Sequence, residues 1–308
     1  MDYIDVKKDL SRFLQKRPNI YLAKILPLSI YKKYLQMMGF YYYSVHSDER
    51  KTITESFKYI FGNKKNTLAF YYHLLKTYNG IFNHYFEKMI NAHKSLSSMM
   101  EHLNKKIKFS GKPALDRILS TNKGCILITG HFGAVEYIPL FLASNNYRAS
   151  MILRFKTEQL RETLFEKSKS VDLELIDAES PNVLFRALST LREGRVLITL
   201  CDEIDKWRPS RREHTEIFGH HVPRDRTLDI LFKRSQAPLC FGLLLRSKPN
   251  YQLIIHEMSK GDDDFSACER SWKILEQYVY KHPDQWYQWP SFYPEFNRYL
   301  NLNECYEY

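Results

Sequence analysis

The segment GCILITGHFGAVE at residues 124–136 constrains the fold more than any other part of the chain. Residues 125–129 are apolar or β-branched and follow a glycine, a pattern that predicts a strand buried on both faces of a parallel sheet. From Val135 the apolar residues recur at helical spacing, so the strand should lead into a helix that ends near Ser144. His131 lies between the two, and we expect it at the carboxyl edge of the sheet, where open α/β folds bind their ligands.

His131 and Glu136 are the first candidate catalytic pair. Glu136 follows about one helical turn later, so its carboxylate should reach one imidazole nitrogen and leave the other facing outward. A carboxylate that fixes the tautomer and stabilises the imidazolium makes a histidine a general base near neutral pH. No serine or cysteine nucleophile stands beside the pair and no G-x-S-x-G motif occurs, so the hydroxyl to be deprotonated should belong to a substrate. The helix dipole alone also favours an acidic residue here, which leaves a structural role open.

The turn between strand and helix offers groups that could bind an anion. Gly133 permits close backbone approach, and the start of a helix presents free amides to an oxyanion or a phosphate. The segment reads G-x-x-G rather than G-x-G-x-x-G, and no G-K-[ST] follows. A nucleotide-binding turn is therefore disfavoured.

Strands and helices alternate in the rest of the chain. Further strands are predicted in four places, at 147–155, 173–176, 196–200 and 239–245. The alternation favours an α/β fold with a mostly parallel central sheet, flanked by helices and joined by right-handed crossovers. Arg154, Asp202 and Glu203 follow predicted buried strands, so we expect them at the same edge as His131. Arg154 could bind a phosphate as a bidentate fork, or be a surface arginine.

Residues 1–105 are predicted to be an N-terminal helical, membrane-surface region, and residues 106–308 the α/β core. No secretory signal or spanning helix is visible, because acidic residues interrupt the N-terminus and residues 20–45 contain three lysines. Apolar residues interleaved with lysines are typical of an interfacial helix on an anionic membrane, or of an amphipathic helix packed on its own domain. A second apolar stripe indicates core, or the floor of an acyl-chain groove. It comprises Leu68, Tyr71, Tyr72, Leu75, Tyr78, Ile81, Phe82 and Phe86.

The net charge of +11 favours an anionic partner, such as nucleic acid, acidic lipid headgroups or an acidic carrier protein. The segment DKWRPSRRE at 205–213 is predicted to be a basic loop, in which Arg208, Arg211 and Arg212 could hold phosphates or headgroups, or be solvated. The five cysteines form no C-x-x-C pair, and Cys125, Cys201 and Cys240 lie in apolar runs typical of core residues in a reducing compartment. The histidines at 214, 220 and 221 lack the spacing of a metal site.

Four blocks of the sequence carry a family resemblance. They are TGHFGAVE at 129–136, LREGRVLITLCDE at 191–203, EIFGHHVP at 216–223 and HPDQWYQW at 282–289. In this order they resemble the H-x4-D/E block, the glycine-led strand ending in an acid, the F-F-G block and the C-terminal P-E-Q block of the lysophospholipid acyltransferase superfamily. The likeness is greatest to the branch of the late (lauroyl/myristoyl) acyltransferases of lipid A biosynthesis, and covers roughly residues 50–290. Relatives usually have a membrane-spanning anchor, Asp-Gln at 202–203, and two basic residues where Pro290 and Ser291 stand here.

The resemblance implies a glycerolipid-acyltransferase-like fold and an O-acyltransferase. The enzyme would transfer a fatty acyl group from an acyl carrier protein or coenzyme A thioester to a hydroxyl of a lipid or glycolipid, without a metal or other cofactor. His131 would be the base and Glu136 its partner, and amides near Phe132 and Gly133, with Arg154, would hold the tetrahedral oxyanion. Other substrate contacts would come from Asp202, Glu203, Arg208, Arg211, Phe218 and Gly219. The protein would be peripheral, on the cytoplasmic face of the inner membrane.

Two other functions stay open on the sequence alone. One is a relative that binds acyl chains or an acyl carrier without turnover, against which the intact H-x4-E block argues. The other is a basic nucleic-acid-binding protein. This second function is disfavoured, because the lysines and arginines are dispersed and no RRM, KH or zinc pattern occurs.

Overall fold

The computed structural model of the protein describes residues 13–62, 68–155, 157–258 and 265–304. Residues 1–12 and 63–67 of the predicted helical region, and Cys305, lie outside the described residues. The α-helices of the described part are α1 (Arg17–Ile25), α2 (Leu28–Val45), α3 (Ser47–Phe61), α4 (Leu68–His93), α5 (Leu96–Lys106), α6 (Lys112–Leu119), α7 (Ile138–Ser144), α8 (Glu158–Ser168), α9 (Val183–Arg192), α10 (Thr227–Ser235), α11 (Ala267–Lys281) and α12 (Trp289–Glu304).

A mostly parallel sheet of seven strands forms the centre of the molecule, which confirms the predicted α/β fold. The strands are β1 (Ile107–Phe109), β2 (Cys125–Thr129), β3 (Ala149–Leu153), β4 (Leu173–Asp177), β5 (Val196–Leu200), β6 (Pro209–Ile217), β7 (His220–Asp225), β8 (Leu239–Ser247) and β9 (Asn250–Met258). The order in the large sheet is β1-β9-β8-β2-β5-β3-β4, and all neighbours are parallel except β8 and β9. Strands β6 and β7 form a separate antiparallel hairpin.

Strand β2 lies in the middle of this sheet, between β5 and β8. All five of its residues are buried, as the apolar run predicts for a strand covered on both faces. The helix that follows begins later than expected, because a 3-10 turn at Val135–Tyr137 precedes α7 and contains Glu136. The predicted core cysteines Cys125, Cys201 and Cys240 are all buried.

The predicted basic loop at 205–213 is wrong. A short 3-10 turn at Ile204–Lys206 is followed by β6, so most of the segment is the first strand of the hairpin. Few residues of β6 are buried, and its apolar alternation is too weak to mark a strand. The hairpin turns at Phe218 and Gly219, where φ is +50° and +80°, the left-handed pair that a two-residue hairpin turn requires.

Half of the apolar stripe on α4 is exposed, so its prediction as core is wrong for that half. Leu68 and Leu75 are 88% and 67% exposed, and Tyr71 and Tyr72 are also exposed. Helix α2 runs antiparallel to α4 and contacts it from Phe86 back to Tyr78. Because α2 ends there, the first turns of α4 extend beyond the helix that would cover them. Ile81, Phe82 and Phe86 are buried as predicted.

Helices α1 and α2 also expose large apolar side chains. These are Tyr21, Ile25, Ile30, Met37, Phe40, Tyr41 and Val45. In the part of the chain that the structure describes, no helix is both long and apolar enough to cross a membrane. The predicted boundary between a helical region at 1–105 and a core at 106–308 stays a prediction. The N-terminal helices pack directly on the C-terminal segment of the core. The rings of Phe57 on α3 and Trp289 on α12, for example, are 5.1 Å apart.

Candidate active site

The candidate site forms where β2 and β5 end side by side. Thr129 pairs with Leu200 at the last step of this parallel ladder, so the residues two positions further on meet above the sheet edge. Nδ1 of His131 is 2.8 Å from Oδ1 of Asp202. The side chain of His131 is 15% exposed and that of Asp202 is fully buried, so the imidazole alone of this pair is open to solvent.

The Asp202 carboxylate is fixed by several N–H donors. The backbone amide of His131 is 3.0 Å from Oδ1 and 2.8 Å from Oδ2, and the indole Nε1 of Trp286 donates to Oδ2 over 2.8 Å. Each of these donors replaces a water that the carboxylate loses on burial. The proton of the His131 ring is therefore held on Nδ1, which leaves Nε2 as the basic nitrogen.

The pKa of His131 is set by opposing effects. Burial lowers it, but the charge and hydrogen bond of Asp202, with further negative charge from Glu203 and Glu136, raise it above its ordinary value. The acidic groups thus outweigh burial, and the imidazolium is stabilised in this position.

The predicted contact between Glu136 and His131 is wrong. Glu136 Oε1 lies 3.6 Å from Nε2 of His84, and no hydrogen bond within the described residues joins Glu136 to His131. The prediction assumed that both residues belong to one α-helix. Residues 131–137 instead form an irregular turn and a 3-10 turn, which changes the direction of Glu136. Glu136 acts on His131 through its charge alone.

The amides of Phe132 and Gly133, the predicted oxyanion donors, are already used. Phe132 N–H donates to the carbonyl of Gly130 over 2.7 Å, and Gly133 N–H to that of Gln285 over 2.8 Å. The side chain of Phe132 is buried away from the site. Gly133 has φ +60°, and a Cβ there would lie 2.0 Å from the carbonyl oxygen of Leu244. The glycine thus permits close approach of the protein's own backbone.

A buried ion pair supports this turn from below. Nε and Nη2 of Arg246 each lie 2.8 Å from the Glu87 carboxylate, and Nη2 also donates to the carbonyl of Gly133. The side-chain amide of Gln285 bonds the backbone of Arg246, with its Oε1 2.8 Å from the Arg246 nitrogen. Helix α4, strand β8 and the C-terminal segment are thereby joined to the residues that follow His131.

Arg154 and Glu203 lie at the same rim, as the strand ends predict. Nη1 of Arg154 is 3.1 Å from Oε2 of Glu203, and both side chains are partly exposed. Arg154 was expected to hold a phosphate of the donor. The charge of Glu203 partly neutralises the guanidinium, which stays at the edge of the site.

The other predicted contacts do not meet His131. Arg208 and Arg211 are exposed, and neither has a hydrogen bond or ion pair to His131 or Asp202 within the described residues. Phe218 is buried against Trp286, with 5.7 Å between ring centroids, so it supports the site from behind. Gly219 is exposed in the hairpin turn.

Sequence reasoning missed three contributors. Trp286 belongs to the C-terminal block that carries the family resemblance, but nothing in the sequence indicates its contact to Asp202. The side-chain amide of Gln288 lies against the imidazole, with Nε2 2.8 Å from Nδ1, and because Nδ1 already donates its proton to Asp202 this is a packing contact and not a hydrogen bond. Arg246 directly follows the predicted strand 239–245. Arg154 was chosen as a candidate because it follows a buried strand, and the same reason applies to Arg246. Among the described residues, no group of three or more histidine, cysteine or acidic side chains is placed to hold a metal ion.

The described geometry agrees with the comparison to known families. Residues 19–289 match the profile of the bacterial lipid A biosynthesis acyltransferases. A search of curated proteins gave no match. The matched segment contains the whole sheet, His131, Asp202 and the C-terminal segment that donates to Asp202. The chain belongs to the bacterial lipid A biosynthesis acyltransferase family.

Proposed function

We propose that the protein is an O-acyltransferase with His131 as its general base. It moves an acyl group from a carrier-protein or coenzyme A thioester to a hydroxyl of a lipid or glycolipid. The observation that carries the proposal is the 2.8 Å contact between Nδ1 of His131 and the buried carboxylate of Asp202, with the imidazole partly exposed at the sheet edge.

The reaction follows from this pair. Nε2 of His131 takes the proton of the acceptor hydroxyl as its oxygen attacks the thioester carbonyl. The tetrahedral oxyanion then collapses, the C–S bond breaks, and the imidazolium returns its proton to the leaving thiolate. Asp202 keeps Nδ1 protonated and stabilises the imidazolium during the step, the role of a carboxylate in such a pair.

The remaining acidic and basic groups take secondary roles. Glu136 and Glu203 add negative charge that favours the imidazolium. Because the Phe132 and Gly133 amides are occupied, we assign the oxyanion or the donor's phosphate to Arg154, which lies at the rim beside Glu203.

We also propose that the protein binds the surface of an anionic membrane through α1, α2 and the start of α4. Phe40 is 82% exposed and Leu68 88% exposed, and exposed lysines, among them Lys24, Lys33 and Lys76, lie on the same helices. Exposed apolar side chains among lysines are typical of interfacial attachment. The location that we propose is the cytoplasmic face of the inner membrane, and membership of the lipid A acyltransferase family supports it.

The reaction is tested by mass-spectrometric comparison of the lipids of cells with and without an active copy. We expect one lipid species whose mass increases by one acyl group, which would identify both acceptor and chain. Identical lipids in the two strains, with the protein present in the first, would contradict the proposal.

A further inference from the structure

Trp286 is bonded to the candidate catalytic pair but does not face the substrate side. Its indole Nε1 lies 2.8 Å from Oδ2 of Asp202, and both side chains are buried. An indole N–H can donate a hydrogen bond but cannot accept one. Trp286 is therefore always the donor in this contact, and the positive end of its N–H dipole points at the carboxylate.

The two oxygens of Asp202 have different partners. Oδ1 accepts from Nδ1 of His131 over 2.8 Å, and Oδ2 accepts from Trp286 over 2.8 Å. The backbone amide of His131 lies within 3.0 Å of both. Trp286 thus donates to the carboxylate oxygen that does not face the imidazole. Rotation of the carboxylate would break the hydrogen bond from Trp286.

The indole is held in place by a rigid aromatic cluster. Its neighbours are Trp289, Phe292 and Phe218, at ring distances of 4.9, 5.3 and 5.7 Å. Its backbone forms a β-bridge with Phe132, one residue after His131. The donor and the imidazole are therefore fixed relative to each other by the same short stretch of backbone.

We propose that Trp286 is a positioning residue, which holds the Asp202 carboxylate with Oδ1 toward Nδ1 of His131. The inference rests on the proposed role of His131 as the base. The N–H dipole also weakens the negative potential that Asp202 exerts on the imidazole. Loss of the N–H should then raise the pKa of His131 and at the same time loosen the carboxylate that orients it.

Several other groups act on the same imidazole or surround it, and they stay unchanged in this test. Asp202, Glu203 and Glu136 act on it through negative charge, and His84 on α4 interacts with it by charge. Gln288 and Tyr287 of the C-terminal segment contact the ring, and Arg154 and Arg246 are paired with the acidic groups Glu203 and Glu87. A substitution at Trp286 removes none of them, so a change in the titration of His131 reports the lost N–H.

Trp289 provides a matched control in the same aromatic cluster. It is equally buried, and its Nε1 donates over 2.8 Å to the carbonyl of Pro283 instead of to Asp202. Trp286→Phe and Trp289→Phe therefore each remove one buried indole N–H. A second pair of variants carries benzothienylalanine at either position, which keeps the bicyclic shape and replaces N–H by sulfur. This pair decides the test if either phenylalanine variant fails to fold.

The primary measurement is the NMR titration of the His131 imidazole, assigned by its absence from the His131→Gln protein, and it needs no substrate. At position 286 we expect the pKa of His131 to rise by about half a unit, a fraction of the roughly one to two units that a charge-assisted hydrogen bond represents. At position 289 we expect no shift. With a thioester donor, kcat/KM at its plateau should fall about tenfold for position 286 alone, and its acidic limb should move to higher pH.

Equal titrations of His131 in the two series would overturn the proposal, as would equal losses of kcat/KM. A shift confined to position 286 supports it. If the wild-type protein transfers no acyl group but this shift is present, the proposed function is refuted while the positioning contact stands.

Discussion

Asp202→Asn is the change that probes the site most sharply. Both carboxylate oxygens face N–H donors, namely Nδ1 and the amide of His131 at Oδ1, and that amide and Trp286 at Oδ2. An asparagine has one oxygen and one NH₂ group, so in either orientation its NH₂ must face a donor. The conflict is relieved when His131 moves its proton to Nε2, and the ring then cannot act as a base from that nitrogen.

The expected loss in kcat/KM is about 10³- to 10⁴-fold, the scale on which a wrong imidazole tautomer disables a histidine base. The pH dependence of kcat/KM gives a second, independent test of the role of Asp202. Burial lowers the pKa of His131 and Asp202 raises it above the ordinary value, so without the carboxylate the pKa should fall below that value. The acidic limb of kcat/KM should therefore move to lower pH as the plateau falls.

The same shift predicts how stability depends on pH. A histidine whose pKa is raised in the folded state contributes stability that is complete below its unfolded pKa and is lost as pH rises through the folded pKa. The wild-type protein should therefore exceed Asp202→Asn in stability by more at pH 5 than at pH 8, as measured by denaturant unfolding. An Asp202→Asn enzyme with wild-type kcat/KM and an unmoved acidic limb would refute the reasoning.

Three further changes have distinct expected outcomes. Glu136→Gln should reduce kcat/KM by less than about tenfold, because Glu136 acts on His131 through charge and does not fix its tautomer. A loss as large as that of Asp202→Asn would instead support Glu136 as the residue that orients His131. Glu87→Gln should destabilise the protein by about 3–5 kcal/mol in denaturant unfolding, because it leaves Arg246 buried without its partner, whereas Glu101→Gln, at an exposed pair, should change stability far less; equal effects would contradict this. Binding to anionic vesicles should be lost in high salt and weakened by Phe40→Ser with Leu75→Ser, but not by Phe185→Ser on α9, which is also exposed; protein that leaves the membrane only in detergent would show a deeper anchor.

The strands of the sheet core could be predicted from the sequence because each is a short, uninterrupted apolar run. Strands β2 and β5 occupy their predicted residues, 125–129 and 196–200. The β6–β7 hairpin could not be predicted in the same way, since both strands are rich in polar residues and β6 is largely exposed. Antiparallel β9 was missed as well, because alternate residues are only partly buried.

The position of His131 followed from the sequence, but its partner did not. A strand followed by a helix places His131 at the sheet edge whatever the strand order. The contact to Asp202 depends on β5 lying beside β2, and the two residues are 71 positions apart in the chain. Local spacing favoured Glu136, since it assumes a regular helix that the 3-10 turn replaces.

The exposed start of α4 shows the same limit. Apolar spacing identifies the face of a helix that seeks burial, but it does not tell how far a neighbouring helix extends. Leu68 and Leu75 follow the same apolar spacing as Phe82 and Phe86, but they lie beyond the end of α2 and are exposed.

The most direct test of His131 as the base compares acyl transfer by the purified wild-type and His131→Ala proteins, with thermal unfolding measured on both. His131→Ala removes one donor to the buried Asp202 carboxylate but leaves the backbone amide of residue 131 and Trp286, so the melting temperature should fall by only a few degrees and the fold should be retained. We expect the transfer rate to fall about 10²- to 10⁴-fold, the contribution of a positioned general base. Undiminished transfer by a folded His131→Ala protein would contradict the account.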